Sequence, residues 1–471
     1  MPKRIVIVGG GFCGTVLAAT LLRRPPREPT EIVLVERGPA IGRGVAYAIH
    51  DVPYLLNVPA GRLSADSQDP MQFLRFAQQT VPEADAEDFL PRQMYGDYLQ
   101  DFLARAEATA PAHVTLTRLH DEVTRISNAS DAPLAVCFAQ REAIAANQVI
   151  LALGNAPPPV HTWAEPVRAH PAYHGDPRQL PKLTAEHAAV VIGNGLTMAD
   201  VLYSLSRVAA HTPRLVTISR RGLVSLPQAT FHAAAVRGDG ELLLASAASI
   251  RQVLRASRTL ARDVMALGGD WREVVTFIRS LAPAIWQRLP DSERRRFLRH
   301  LQSHWDVHRH RLPPQMAAHI DELRQTGKLA INAGRIEQIV PEGRRLRVTW
   351  RPRGGSTVNT IVADAVVNAT GPDFAIKHAR DELLRTLQSD GWVCEDSLNL
   401  GLRTAAHGAC VAADGRASKH LFYLGPMLRA GYWEATAATE LRNHAEQLAR
   451  HLVAANPDAP TGAASLASPA L

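Results

Sequence analysis

Cysteine is scarce in this chain of 471 residues: four thiols (Cys13, Cys137, Cys394, Cys410), none in a C-x-x-C pair. That excludes a disulfide scaffold and leaves no metal-ligand spacing, and scattered thiols suit a reducing cytoplasm. Long apolar runs are missing too. No stretch approaches the ~18 residues of a membrane span, and the apolar run at 5–8 behind Met1-Pro2-Lys3-Arg4 is too short for a signal-peptide core. Neither charge sign dominates, since 52 Lys and Arg against 45 Asp and Glu leave +7 at pH 7. No nucleic-acid motif accompanies that basic excess, which suits anionic small molecules instead. What is present is 46% hydrophobic and 21% charged, ordinary for a globular chain of two or three domains at roughly 150 residues each. These features predict a soluble, cytoplasmic protein acting on a small molecule, with no membrane or nucleic-acid partner. The oligomeric state is not legible.

One local design occurs twice. The apolar run at 5–8 reads as a buried strand, followed by Gly9-Gly10-Gly11-Phe12-Cys13-Gly14, a helix over 15–22 and a strand over 31–35 ending in Glu36-Arg37. A strand over 188–192 runs into Gly193-Asn194-Gly195-Leu196-Thr197, a helix to about Val208, and a strand over 215–218 ending in Ser219-Arg220-Arg221. Gly9 to Glu36 and Gly193 to Arg220 are both 27 positions apart. In the first unit Gly9 permits the tight turn, Gly11 lets backbone approach a pyrophosphate, and Gly14 allows close packing of helix on strand. Glu36 stands where a carboxylate accepts from both ribose hydroxyls. In the second unit Met198 replaces the third glycine, and Arg220 and Arg221 replace the acid, which suits a 2′-phosphate. The two units predict FAD at the first site and NAD(P)H, with NADPH favoured, at the second.

Between and beyond them the pattern predicts a helix over 89–108, strands over 114–116, 134–138 and 149–153, and helices over about 245–311, with Phe297, Leu301 and Trp305 on one face. The Ala369-Thr370-Gly371-Pro372 turn ends a strand resembling the one at 149–154. The expected architecture is α/β: two Rossmann-like dinucleotide-binding domains, the second inserted in the first, with a helical elaboration. The expected bounds are 1–160 and 329–455 for the FAD domain and 186–328 for the NAD(P)H domain with its helical insert at about 245–311. A tail at 456–471, rich in Ala, Pro and Ser, reads as disordered.

These residues resemble the two-dinucleotide flavoproteins, and within them a bacterial FAD/NAD(P)-binding family related to flavin-containing and N-hydroxylating monooxygenases. Leu56-Asn57-Val58-Pro59-Ala60-Gly61, Tyr95-Gly96-Asp97-Tyr98, the Thr370-Gly371 turn, Trp305-Asp306-Val307-His308-Arg309-His310-Arg311, Leu424-Gly425-Pro426 and Trp433-Glu434 extend the resemblance across nearly the whole chain. It implies a single-component monooxygenase in which NAD(P)H reduces FAD and a flavin hydroperoxide hydroxylates an electron-rich substrate. Some relatives are described as urate hydroxylases in purine breakdown, so urate to 5-hydroxyisourate is the leading expectation. An amine or amino-acid N-hydroxylase is one alternative, and a non-oxygenating FAD/NAD(P) redox or sensor protein another. By the same resemblance Asn57 stabilises the oxygenated flavin, Thr370 and Gly371 approach the flavin, and Val123 supplies backbone contacts to adenine. The F-x-G-x-x-x-H fingerprint of flavin-containing monooxygenases is not found between the two units. His308 and His310 alternate like metal ligands, but the intervening arginines repel a cation, so no metal is expected.

Overall fold

A computed structural model describes residues 2–48, 54–128, 133–207, 212–229, 236 and 240–454. The tail expected at 456–471 lies outside the described residues.

Strand β1 (Lys3–Val8) is buried along its last four residues, as a central parallel strand covered on both faces must be. It leads through the first glycine turn into α1 (Phe12–Arg23), whose residues from Cys13 to Leu22 are all buried, and then into β2 (Thr30–Glu36), parallel to β1. Helices α2 (Gln72–Gln78) and α3 (Arg92–Ala108) precede β3 (Val114–His120). A small antiparallel sheet of β4 (Val123–Ser127), β5 (Leu134–Phe138) and β6 (Ile144–Ala146) follows, and β7 (Gln148–Leu151) returns beside β1.

The second unit contains β8 (Tyr173–His174), β9 (Ala188–Ile192), α4 (Leu196–Arg207) and β10 (Arg214–Ser219). Helices α5 (Gly240–Ala245), α6 (Ile250–Ala266), α7 (Trp271–Arg288), α8 (Asp291–His300) and α9 (Gln302–Arg309) form the elaboration. Phe297, Leu301 and Trp305 share its apolar cluster although the α8–α9 junction falls at Leu301, because the Leu301 and Trp305 N–H groups still donate four residues back. Then come α10 (Pro314–Gln325), β11 (Leu329–Glu342), β12 (Arg345–Pro352), β13 (Asn359–Ala363) and β14 (Ala365–Asn368). The chain closes with α11 (Glu382–Ser389), β15 (Ala409–Val411), β16 (Ala417–Tyr423), α12 (Arg429–Tyr432) and α13 (Ala438–Val453), which packs on α1.

The large sheets run β15-β16-β7-β1-β2-β3 and β13-β12-β11-β10-β9-β14-β8. Two doubly wound units, the second inserted in the first, are therefore present. The expected return to the first unit at 329 is corrected. Strand β11 pairs with β10, and β14 pairs with β9, so 329–368 completes the second sheet. The chain rejoins the first sheet at β16, which pairs with β7.

Candidate functional site

At the first turn, Gly9 has φ +110°, and a Cβ there would lie 2.3 Å from the Ala152 carbonyl oxygen. A Cβ on Gly14 would lie 1.9 Å from the Gly9 oxygen, so strand and helix touch through bare backbone. Gly11 differs: its nearest obstacle would be Gly44 Cα at 3.5 Å. It caps α1 without any side-chain hydrogen bond, leaving the first N–H groups of the helix for an anion. Glu36 braces this turn. Its Oε2 accepts from Gly10 N at 2.7 Å and its Oε1 from Gly38 N at 2.6 Å. Two of a carboxylate's roughly four acceptor directions are thus used and the remainder suit a ribose diol. Arg37 points elsewhere, pairing with Glu122 at 3.0 Å and Asp381 at 2.9 Å, so it ties β2 to the start of α11. Val123 begins β4 just past Asp121, whose N–H donates to the Glu36 carbonyl, which puts it close to the acid end of β2.

The second turn repeats the first with one change. Gly193 has φ +117° and its Cβ would meet the Ala369 oxygen at 2.2 Å, while a Cβ on Gly195 would meet nothing within 4 Å. Met198 is fully buried in the apolar core of this unit rather than bridging helix to strand. Thr197 lies in the first turn of α4. The buried amide of Asn194 has no partner for either its oxygen or its nitrogen among the described residues. An open cradle at Gly195 beside an orphaned amide fits a bound dinucleotide.

Arg220 is exposed and makes no ion pair among the described residues. Arg221 instead donates to the His300 and Arg299 carbonyls, both at 2.8 Å, closing the C-terminus of α8. Arg221 is thus anchored to α8 by two of its N–H groups, and Arg220 carries no such anchor. Arg335 and Arg353 also line this region, carried there by β11 and β12. Local motif reading missed both, because β11 reaches β10 from more than a hundred residues downstream.

Thr370 and Gly371 do not follow a strand of the first sheet, contrary to the domain bounds expected for them. They follow β14, which pairs with β9, so they flank Gly193; Thr370 Oγ1 lies 3.2 Å from His161 Nε2. The equivalent turn of the first unit follows β7, where Gly154 has φ +69°.

A single large cavity of about 3530 Å³ joins the two units. Asn57, Gly193, Gly195, Thr197, Arg220, Arg221, Thr370 and Gly371 all line it; Gly9, Gly11, Gly14, Glu36, Arg37 and Val123 do not. Asn57 is anchored to the second unit, its backbone oxygen accepting from Gln228 Nε2 at 3.4 Å. Tyr95 and Tyr98 belong to a buried aromatic cluster with Phe73. Among the described residues, no group of three or more His, Cys, Asp or Glu side chains is placed to hold a metal ion. No described helix is long and apolar enough to cross a membrane.

Residues 6–156 match a family profile described as FAD-NAD(P)-binding. No curated protein matches the chain in sequence. The fold is that of two-dinucleotide flavoproteins. It is similar to L-lysine 6-monooxygenase from Pseudomonas syringae (TM-score 0.61, 16% identity, 95% of this chain and 98% of that one). It is similar also to the cadaverine monooxygenase of desferrioxamine biosynthesis from Erwinia amylovora (0.61, 14%, 100% and 99%). Thioredoxin reductase from T. acidophilum resembles it less closely (0.50, 12%, 96% and 98%).

Proposed function

We propose that this chain is an FAD- and NADPH-dependent monooxygenase that hydroxylates the nitrogen of a small amine. One observation carries the reading: Asn57 of the first unit and the Gly193–Gly195 turn of the second open onto the same chamber, so a hydride donor and an oxygen acceptor site share one enclosure. The whole-chain likeness to amine hydroxylases favours the N-hydroxylase alternative over urate, for which these likenesses give no support. The balance is one amine, one O2, one NADPH and one proton giving hydroxylamine, NADP+ and water.

The Gly11 turn and the N-terminus of α1 would hold the FAD pyrophosphate, with Glu36 on the ribose. The Gly195 turn and Arg220 would hold NADPH. Bound FAD would supply hydride acceptance and oxygen activation. The residues around it orient the two dinucleotides, keep water out and donate hydrogen bonds. Asn57 serves as a donor that brings no acidic proton.

A disulfide-reductase reading needs a thiol pair at the flavin. Cys13 is buried inside the glycine turn, and burial pushes its thiol up to about 12, where it is inert. The test is NADPH oxidation with a panel of amines, counting hydroxylamine against hydrogen peroxide. Amine-dependent hydroxylamine supports the reading, and Asn57→Ala should then divert turnover to peroxide. Stoichiometric peroxide with every amine sinks it in favour of a reductase or sensor.

A further inference from the structure

We propose that Arg309 and Arg429 form an anion subsite in the wall of the chamber, where a carboxylate carried by the substrate binds. The inference rests on the chamber being the substrate site. Both arginines line it.

Arg309 ends α9 and is held by one edge only. Its Nε donates to Glu434 Oε2 at 2.8 Å, while Nη2, shut off from solvent, has no acceptor among the described residues. The other oxygen of Glu434, Oε1, accepts from Trp305 Nε1 at 2.8 Å. Neighbouring Arg279 is committed to Glu440. Arg429, on α12, makes no ion pair within 4 Å among the described residues, although the charges of Asp306, Glu434 and Asp396 reach it. Its guanidinium lies 4.3 Å from the Trp433 ring and 4.6 Å from the Phe374 ring, and its buried Nε is unpartnered. Aromatic faces fix the plane of a guanidinium but satisfy none of its five N–H groups, whose edges stay open to a planar oxyanion.

Two further observations mark the place. Trp433 has φ +39°, a region that a bulky side chain rarely enters, and the Glu434 N–H donates back to the Tyr432 carbonyl in a three-residue turn. That turn puts Trp433 against Arg429 and Glu434 against Arg309, and such strain collects at functional sites. His310 is pushed down to about 3, by burial first and then by the charges of Arg309, Arg429 and Arg279.

The dinucleotide phosphates have their own anchors at Gly195 and Arg220, on the β9–β10 side. Arg309 and Arg429 stand on α9 and α12. Gln228 joins the end of α9 to Asn57, its backbone N–H donating to the carbonyl of Leu312, three residues past Arg309, and its side chain to the Asn57 carbonyl. Asn57 and both arginines line the same chamber.

The probe is succinate, with neutral succinamide as control, titrated into the FAD-loaded protein at constant ionic strength while tryptophan fluorescence is read. Trp433 and Trp305 report directly on the two arginines. Saturable quenching by succinate alone is expected, unaffected by saturating NADP+. It should weaken about tenfold or more in Arg429→Met, whose apolar stem still fills the gap between the rings. Arg309→Lys, which keeps a charge against Glu434, should weaken it similarly and covers the case in which the methionine variant does not fold. Competition between NADP+ and succinate, with NADP+ binding weakened in these variants, would give the cluster to the dinucleotide and overturn the proposal. So would no saturation by succinate, or equal binding by succinate and succinamide. Succinate binding through Arg429 in a protein that releases only peroxide with every amine would sink the hydroxylase reading and leave the subsite standing.

Discussion

Gly11 and Gly14 are three positions apart, yet substitution should affect them in opposite ways. At Gly14 an added methyl would overlap the Gly9 oxygen, so Gly14→Ala must push α1 off β1, and the expected outcome is a protein that melts early or fails to fold. At Gly11 the backbone is at φ −72°, which alanine adopts freely, and the nearest atom is at ordinary contact distance. Gly11→Ala should therefore fold with an unchanged melting temperature but retain FAD poorly through gel filtration, because the methyl fills the pyrophosphate approach. Equal FAD content in that variant would remove Gly11 from the site. The same contrast separates Arg220 from Arg221. Arg220→Ala should raise the Kd for NADPH about tenfold, on the scale of one lost charged hydrogen bond of ~1.5–3 kcal/mol, with NADH unaffected. Arg221→Ala should leave the NADPH preference intact and lower stability, since its donors close α8. The sequence offered both arginines equally. Only the arrival of α8, seventy residues later, tells them apart.

Helix α7 shows what an element owes to its own sequence. Asp270 accepts from the Arg272 N–H at 2.7 Å, while Glu273 Oε1 accepts from the Asp270 N–H at 3.0 Å, closing a capping box at its start. Asp270→Ala should cost about 1 kcal/mol of stability, read as a lower denaturant midpoint without change in slope. A larger loss with altered slope would mean that α7 and the chamber wall it carries unfold together. Periodicity makes such helices legible, as it did the two strand–turn–helix–strand units, because each is decided within about thirty residues. The expected FAD domain took in 329–455 and so placed the β11–β13 meander in the wrong sheet. Alternation fixes which face of a strand is buried and says nothing of its partner, and here the partner is β10. Thr370 and Gly371 followed that misplacement. Their turn reads the same in either unit, and only the pairing of β14 with β9 puts it beside Gly193.

Across the whole molecule, the insert and the C-terminal segment meet around one buried set of charges, and its response to pH follows from its composition. Burial, then Arg309, Arg429 and Arg279, pushes His310 from 6.5 to about 3, whereas burial pushes Asp306 from 3.8 up to about 6 against the pull of Arg429. Between pH 6.5 and 3 the unfolded chain binds the His310 proton and the folded chain does not, so this residue removes stability as pH falls. Between pH 6 and 3.8 the folded chain binds the Asp306 proton and the unfolded chain does not, so this one adds stability as pH falls. In the overlap, from about pH 6 to 4, the two contributions oppose each other proton for proton. His310→Asn leaves Asp306 alone. Whatever fixed cost the substitution carries, the stability of the variant relative to the parent should then rise as pH falls through this window, by up to about 1.4 kcal/mol per pH unit. Chemical denaturation of both proteins at half-unit intervals reads that difference directly. Parallel curves would show that His310 keeps an ordinary affinity for its proton when folded, and would overturn both the burial and the positive surroundings assigned to it.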